Sequence, residues 1–231
     1  MDFVYICRDG ENEELRYSIR SVLNSFPEAK VWLVGGKPEW YSGHCVPVDQ
    51  NSNKYANALK NLKTLCEHPE ISNNFVLMND DFFIIKKINS IDQFYNGLLS
   101  DKISRFTQIT GSSMYIKKLI TTNKKLIDLG IKNPIDYELH TPMPMNKPGL
   151  LDVIEKYPEC LWRSMFGNLY NVGGTQMDDV KIYVNKRHLA RSNEITDSSI
   201  YMSTEDTSLK VMLDKILRQM LPEPSIYEKI K

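Results

Sequence analysis

From Phe3 to Ile85 the chain alternates short β-prone apolar runs with stretches of helical periodicity, a rhythm that admits few folds. Phe3 to Cys7 is nearly continuous and apolar and is closed by Arg8-Asp9-Gly10, the pattern of a strand buried on both faces that ends in a turn. Leu15, Ile19, Val22 and Leu23 then recur at helical spacing, with Pro27 at the exit. Lys30 to Val34 reads as a second strand stopped by Gly35-Gly36 and Pro38, and Val46-Pro47-Val48 as a short third. Ser52 offers a helix N-cap ahead of Ala56, Leu59, Leu62 and Leu65. Phe75 to Met78 is a further buried strand that runs straight through Asn79-Asp80-Asp81 into Phe82 to Ile85. Strands alternating with helices predict an α/β fold with a mostly parallel, Rossmann-like sheet flanked by helices. In such a sheet the ligand crevice lies beyond the carboxyl ends of the strands, where Arg8-Asp9, Gly35-Gly36 and Asn79-Asp80-Asp81 fall.

Beyond Ile85 the pattern is more helical and less regular. Helices are expected around Ile91 to Leu99, Ser113 to Leu129, Lys147 to Lys156, Leu161 to Tyr170 and Ser208 to Met220, with a strand around Val180 to Val184. No internal repeat, low-complexity tract or linker divides the 231 residues, so residues 1–231 are read as a single domain. Twenty-nine Lys and Arg balance 29 Asp and Glu, which removes any global positive field for holding a nucleic-acid backbone and leaves only local patches. Cys7, Cys45, Cys66 and Cys160 form no C-x-x-C pair, the spacing of neither a thiolate metal site nor a redox motif, and a reducing compartment is expected. The opening residues turn polar too soon for a signal peptide, and no apolar stretch approaches the roughly 20 residues of a membrane helix. The expected setting is the cytoplasm.

Asn79-Asp80-Asp81 is the most informative triplet. Adjacent carboxylates at the end of a buried strand repel each other unless a cation or a basic partner offsets them. Mg²⁺ or Mn²⁺ would resolve the conflict, because hard ions take carboxylate oxygens and commonly hold a diphosphate at the same time. A solvated turn or a helix N-cap would also accommodate such a pair. Arg16 and Arg20, four residues apart on one helix face, offer two planar forks for a phosphate, or equally partners for nearby Glu13, Glu14 or Asp9. Arg163 and the basic run Lys186-Arg187-His188 with Arg191 are further candidates for neutralising phosphate charge. That basic run would also suit a polyanionic acceptor such as DNA, or be a solvated face. Asp178-Asp179 follows Gly173-Gly174 in a polar stretch and reads as a loop. Trp40, Tyr55, Trp162 and Tyr170 are read as stacking candidates or as core.

Arg8 to Val22 (R-D-G-E-N-E-E-L-R-Y-S-I-R-S-V), the segment V-W-L-V-G-G-K-P-E-W ending at Trp40, and F-V-L-M-N-D-D-F-F resemble the second conserved block of the Stealth family. H-T-P-M-P-M from His140, with I-E-K-Y-P-E after it, is similar to that family's third block. L-P-E-P-S-I-Y-E from Leu221 is similar to the end of its fourth. The first block looks merged with the second here, and Glu205-Asp206 stands where the fourth block usually shows an Asn-Asp pair. The resemblance implies a GT-A-like transferase that moves sugar-1-phosphate, or in this compact form a glycosyl group, from a nucleoside-diphosphate sugar. It implies a donor-binding half over residues 1–90 and an acceptor and catalytic half over 91–231.

On the same resemblance, Asp80 and Asp81 hold Mg²⁺ or Mn²⁺. Apart from the resemblance, Arg8, Arg16, Arg20, Asn79 and Arg187 are read from position and charge as donor-binding candidates, and Asp9 and Asp49 as candidates for recognising the donor's base or ribose. The resemblance makes His140 a catalytic or phosphate-contacting group able to exchange a proton near neutrality; Asp81 and, from its charge alone, Arg163 are the further catalytic candidates. The implied acceptor is a glycan or hydroxymethylated DNA. The non-catalytic alternative is a reduced relative that binds a nucleotide or glycan without turnover.

Overall fold

The computed structural model describes residues 1–50, 53–110, 113–183 and 195–229. The elements run β1 (Asp2–Cys7), α1 (Glu13–Ser25), β2 (Lys30–Gly35), β3 (His44–Pro47), α2 (Lys54–Glu67), β4 (Asn74–Met78), β5 (Phe82–Ile84) and β6 (Phe94–Tyr95). They continue with α3 (Leu99–Thr110), α4 (Met114–Asp128), β7 (Met143–Asn146), α5 (Lys147–Lys156), α6 (Trp162–Leu169), β8 (Thr175–Gln176), β9 (Lys181–Ile182) and β10 (Tyr201–Thr204). Then α7 (Asp206–Met212) passes through one π-helical stretch, Leu213–Leu217, into α8 (Arg218–Met220).

The central sheet has the order β3-β2-β1-β4-β7, with the first four strands parallel and β7 antiparallel at the edge. The α/β class with a mostly parallel sheet is therefore as expected. The alternation along β1 assigns its side chains to two layers. Phe3, Tyr5 and Cys7 pack with Leu15, Ile19 and Val22 of α1, whereas Val4 packs with Leu62 and Leu65 of α2 and with Leu150 and Val153 of α5. Burying a Leu or Phe side chain in this way is worth about 1.5–3 kcal/mol.

Strand order sets the position of the crevice. Successive strands build outward from β1 to β2 and β3, and the chain then returns to place β4 on the other side of β1. The connections after β1 and β4 therefore part at this switch point and open a cleft between them. At β2 the exit is tight: Gly35 has φ +115°, and a Cβ there or at Gly36 would run into the Cys7 and Arg8 carbonyls. Only glycine lets β2 leave so close to the end of β1.

A second sheet, β5-β10-β9, begins three residues after β4 ends, so Asn79-Asp80-Asp81 is the joint between the two sheets. β5 pairs antiparallel with β10, and β9 pairs parallel with it. Neither β10 nor β7 was expected. The helix expected over Ile91 to Leu99 is instead β6 followed by α3, because Gly97 takes a positive φ of 86° between them. Asn53 caps α2 by accepting from the Tyr55 and Ala56 amides, and the expected cap, Ser52, lies outside the described residues. Among the described residues no helix is long and apolar enough to cross a membrane.

Candidate functional site

A cavity of about 620 Å³ opens at the switch point and is lined by Arg8, Glu14, Asn79, Asp80, Asp81, His140, Lys181, Glu205 and Asp206, with Trp162, Asn61 and Gln50 among its walls. Arg8 follows β1, the acidic triplet follows β4, Lys181 comes from β9 and Glu205 follows β10, so both sheets deliver polar tips to one place.

The two aspartates are held differently. Asp81 is buried; its Oδ2 accepts from Lys181 Nζ at 2.9 Å and from Ser203 Oγ at 2.9 Å. Asp80 Oδ2 accepts from Asn12 Nδ2 at 2.6 Å, and Asn12 in turn caps α1 by accepting from the Leu15 amide. Burial, and after it the neighbouring Asp81 carboxylate, raises the Asp80 pKa above its ordinary value. Glu14, on the first turn of α1, accepts from Thr204 Oγ1 at 3.0 Å. Its pKa is pushed up to about 7, by burial first and then by Asp80, Asp81 and Asp206. Several carboxylates thus compete for one cavity.

That conflict bears on whether the residues present suit a divalent cation. Asp80 and Asp81 offer hard carboxylate oxygens, and a cation would offset both the burial that chiefly lifts Asp80 and Glu14 and the carboxylate repulsion that adds to it. Among the described residues no group of three or more His, Cys, Asp and Glu forms a ready metal cage. Among the described residues the joint itself offers a carboxylate pair, which suits Mg²⁺ or Mn²⁺ sharing its coordination with phosphate and water. Lys181 neutralises Asp81 in the meantime.

Raised acid pKa values also fix a stability prediction. Glu14 prefers its proton in the folded chain, so it costs no stability below its unfolded value near 4.5; the penalty builds between there and about 7 and is fully present above that. Glu14→Gln is expected to stabilise the fold by about 2 kcal/mol at pH 8, a rise of roughly 4–8 °C in Tm, and to have little effect at pH 4. Thermal melts at the two pH values measure it; an equal shift at both would remove the proton from the explanation.

His140, whose ring lies edge-on to Phe82 at 6.1 Å, forms a dyad that the sequence reading missed. Both carboxylate oxygens of Asp179 lie on His140 Nδ1, at 2.8 and 3.0 Å, and Asp179 Oδ1 also accepts the backbone N–H groups of His140 at 3.1 Å and Val180 at 2.9 Å. Burial raises the Asp179 pKa, but the His140 imidazole ring and these donors outweigh it and hold the carboxyl well below the usual range. With Nδ1 donating to Asp179, Nε2 remains the nitrogen able to accept a proton. Asp178-Asp179 was expected to be an idle loop pair. Its chemistry was hidden because the partner lies 39 residues away, and only the adjacency of β9 to the cleft brings them together. Glu14, Lys181 and Thr204 were missed for the same reason.

Arg163 was expected to meet phosphate. The structure buries it behind the His140 segment, where Nε donates to the Tyr137 carbonyl at 3.2 Å and Nη2 to the Thr141 carbonyl at 2.6 Å, with the guanidinium 5.6 Å from the centre of the Phe82 ring. Burial lowers its pKa, opposed by Glu138 and Asp179. It holds the 137–141 segment in shape and does not line the cavity.

Arg16 and Arg20 are likewise placed elsewhere. Arg20 reaches Glu228 through Nε at 2.8 Å and Nη2 at 2.7 Å, Arg16 reaches it through Nη1 at 3.0 Å, and Arg16 lies 4.5 Å from the centre of the Trp40 ring. The pair clamps the C-terminal segment onto α1, and Arg16 Nε also donates to Glu13 at 3.0 Å, so both arginines are ion-paired, Arg16 in part with the expected neighbour and both with a partner far along the chain. Burial raises the Glu228 pKa, yet Arg20 foremost, the Ser225 amide and Arg16 bring it down to about 2. A depressed acid stabilises the fold fully above its unfolded value near 4.5, and that contribution is lost as pH falls through about 2. Glu228→Gln is expected to cost about 2 kcal/mol, less than a wholly buried pair because Arg16 is partly exposed, and to lower Tm by roughly 4–8 °C at pH 7. Differential scanning calorimetry checks this, and an unchanged Tm would make the clamp energetically idle.

Asp9 and Asp49 line a neighbouring depression that shares Gln50 with the main cavity. Arg187, with the rest of the basic run, lies outside the described residues. Glu205, in the position of the expected Asn-Asp pair, accepts from the Thr207 and Ser208 amides as the N-cap of α7. Trp162 reaches the cavity wall, Trp40 belongs to the core, Tyr55 lies under the Lys118 ammonium and Tyr170 packs on Phe166 at the surface.

Comparison with known proteins meets this geometry from the outside. The chain is 24% identical to the capsular polysaccharide phosphotransferase SacB of Neisseria meningitidis serogroup A in an alignment of 190 residues that covers 74% of this chain. It spans about a third of the length of the curated relatives it matches. No family model matches. Among solved structures, a galactosyltransferase LgtC in complex with donor and acceptor sugar analogues superposes over 100% of this chain and 98% of that one, at a TM-score of 0.49 and 9% identity. The glycosyltransferase GlyE of Streptococcus pneumoniae TIGR4 superposes over 77% of this chain and 44% of that one, at a TM-score of 0.34 and 11% identity.

Proposed function

We propose that the chain is a metal-dependent transferase that takes a nucleoside-diphosphate sugar and passes sugar-1-phosphate to an acceptor hydroxyl. One observation carries the reading: His140, whose ring is paired with Asp179, lines the same cavity at the switch point of the sheet as the Asp80-Asp81 pair. The first supplies a base for a hydroxyl, the second a seat for a cation with diphosphate, and the two jobs belong to one reaction. The phosphotransferase named in SacB supports the phosphoryl version over plain glycosyl transfer. In this reading residues 1–90 supply most of the donor side and residues 91–231 the acceptor side.

Asp80 and Asp81 would hold Mg²⁺ or Mn²⁺, which when bound supplies charge neutralisation at the diphosphate and makes the nucleotide a better leaving group. The chain's own groups do the rest. Arg8 and Lys181 place positive charge beside the phosphoryl oxygens as negative charge builds there. His140 takes the acceptor hydroxyl proton at Nε2, and Asp179 keeps the ring in the tautomer that allows it and stabilises the imidazolium that results. Arg163 holds the backbone at Tyr137 and Thr141 on either side of this base. The basic run around Arg187, on which a hydroxymethylated DNA acceptor would rest, lies outside the described residues; the acceptor in this reading is a glycan hydroxyl.

The identity of the released nucleotide tests the reading. Incubation with nucleoside-diphosphate sugars, Mn²⁺ and glycan acceptors is expected to release a nucleoside monophosphate and to add phosphorus to the acceptor, seen by mass spectrometry. Release of a nucleoside diphosphate would assign glycosyl transfer instead, and donor-induced thermal stabilisation without any donor breakdown would make the chain a binder.

A further inference from the structure

The outer face of α4 is built unlike the rest of the surface. Of nine large apolar side chains that are exposed among the described residues, four sit on α4 or its C-cap: Met114, Ile120, Ile127 and Leu129. They are not a displaced core, because Ile116, Leu119 and Leu126 already bury the inner face. Exposed Lys117 and Lys124 alternate with the two isoleucines at spacings of three and four, so lysine and isoleucine form one continuous stripe. Neither lysine has a salt-bridge partner among the described residues. Lys118 and Lys125 flank the stripe over the Tyr55 and Tyr157 rings, and Asp128 is the helix's one acid. In a chain of formal net charge +0 this is a local excess of positive charge around exposed apolar groups.

We infer that α4 docks this chain on an anionic phospholipid surface, its isoleucines entering the acyl boundary and its lysines meeting the headgroups. Charge complementarity selects the occupant, since a basic helix with apolar groups between its cations fits negative headgroups over hydrocarbon. The stripe is convex and runs for about 20 Å from Met114 to Ile127, so it can lie flat in an interface. Lysine stems extend along apolar surface while their ammonium groups stay at headgroup level. Tyr115, in the first turn of the same helix, lies within electrostatic reach of Glu138 and Asp179. The inference stands on α4 alone and is independent of which group is transferred.

Co-sedimentation of the full chain with sucrose-loaded vesicles tests it. Vesicles of equal phosphatidylglycerol and phosphatidylcholine are expected to retain about tenfold more protein than phosphatidylcholine alone, and added salt to release it. Ile120→Ser with Ile127→Ser, and separately Lys117→Glu with Lys124→Glu, are expected to lower anionic-vesicle binding about tenfold with the melting temperature unchanged. The vesicle and salt comparisons need no variant, so a folding defect in either leaves the test decisive. Absence of binding to the anionic vesicles, equal binding to both compositions, or variants that bind like the parent would overturn the inference. So would a dimer in sedimentation velocity that the isoleucine variant abolishes, because the face would then belong to a second copy.

Discussion

His140→Gln is expected to lower kcat/KM for transfer by about a thousandfold while leaving donor affinity and melting temperature close to those of the parent chain. Glutamine keeps a polar side chain but has no nitrogen that accepts a proton. Asp179→Asn is expected to cost about a hundredfold, because an amide can donate to Nδ1 and stabilise the wrong tautomer. The two losses should not add: once the base is gone, the group that orients it has nothing left to orient. Single-turnover kinetics of the two single variants and the double variant measure this. Independent, additive losses would place Asp179 outside the proton path and leave it a fold residue that holds the amides of His140 and Val180.

The second large effect concerns the joint between the sheets. Asp81→Asn is expected to abolish Mn²⁺-dependent donor binding and keep the fold, since the amide still accepts from Ser203 and fills the same volume. At a donor concentration of about 100 Kd the parent chain should gain roughly 2.7 kcal/mol and the variant nothing, a difference easily read in thermal melts. Chelator should bring the parent down to the variant. If the variant binds donor in the presence of Mn²⁺ as the parent does, Asp81 is only the partner of Lys181 and the cation, if any, is held elsewhere.

How much of this was legible follows from the range of each interaction. Strands β1, β2 and β4 and helices α1, α2, α4 and α5 could be read because their signals are local: unbroken apolar runs, helical spacing and stop residues such as Gly35, Pro27 and Gly130. The acidic triplet could be read as well, since two carboxylates against a buried strand raise a conflict visible in the sequence itself. Strands β7 and β10 were not, being short edge or second-sheet strands that exist only through partners far along the chain. The partner of His140 escaped notice because Asp179 looks like loop chemistry until β9 places it. Arg16 and Arg20 were legible only in part: helical spacing put them on one face and the pairing of Arg16 with Glu13 is local, but the carboxylate that holds both, Glu228, lies about 210 residues later.

The most direct measurement is a crystal of this chain soaked with Mn²⁺ and a nucleoside-diphosphate sugar, with anomalous scattering used to locate the ion. A single strong peak bonded to carboxylate oxygens of Asp80 and Asp81 and to the diphosphate, with the sugar phosphate turned towards His140 Nε2, is the predicted result. A donor bound outside the switch-point cleft, or bound within it with no ion on the two aspartates, would contradict it.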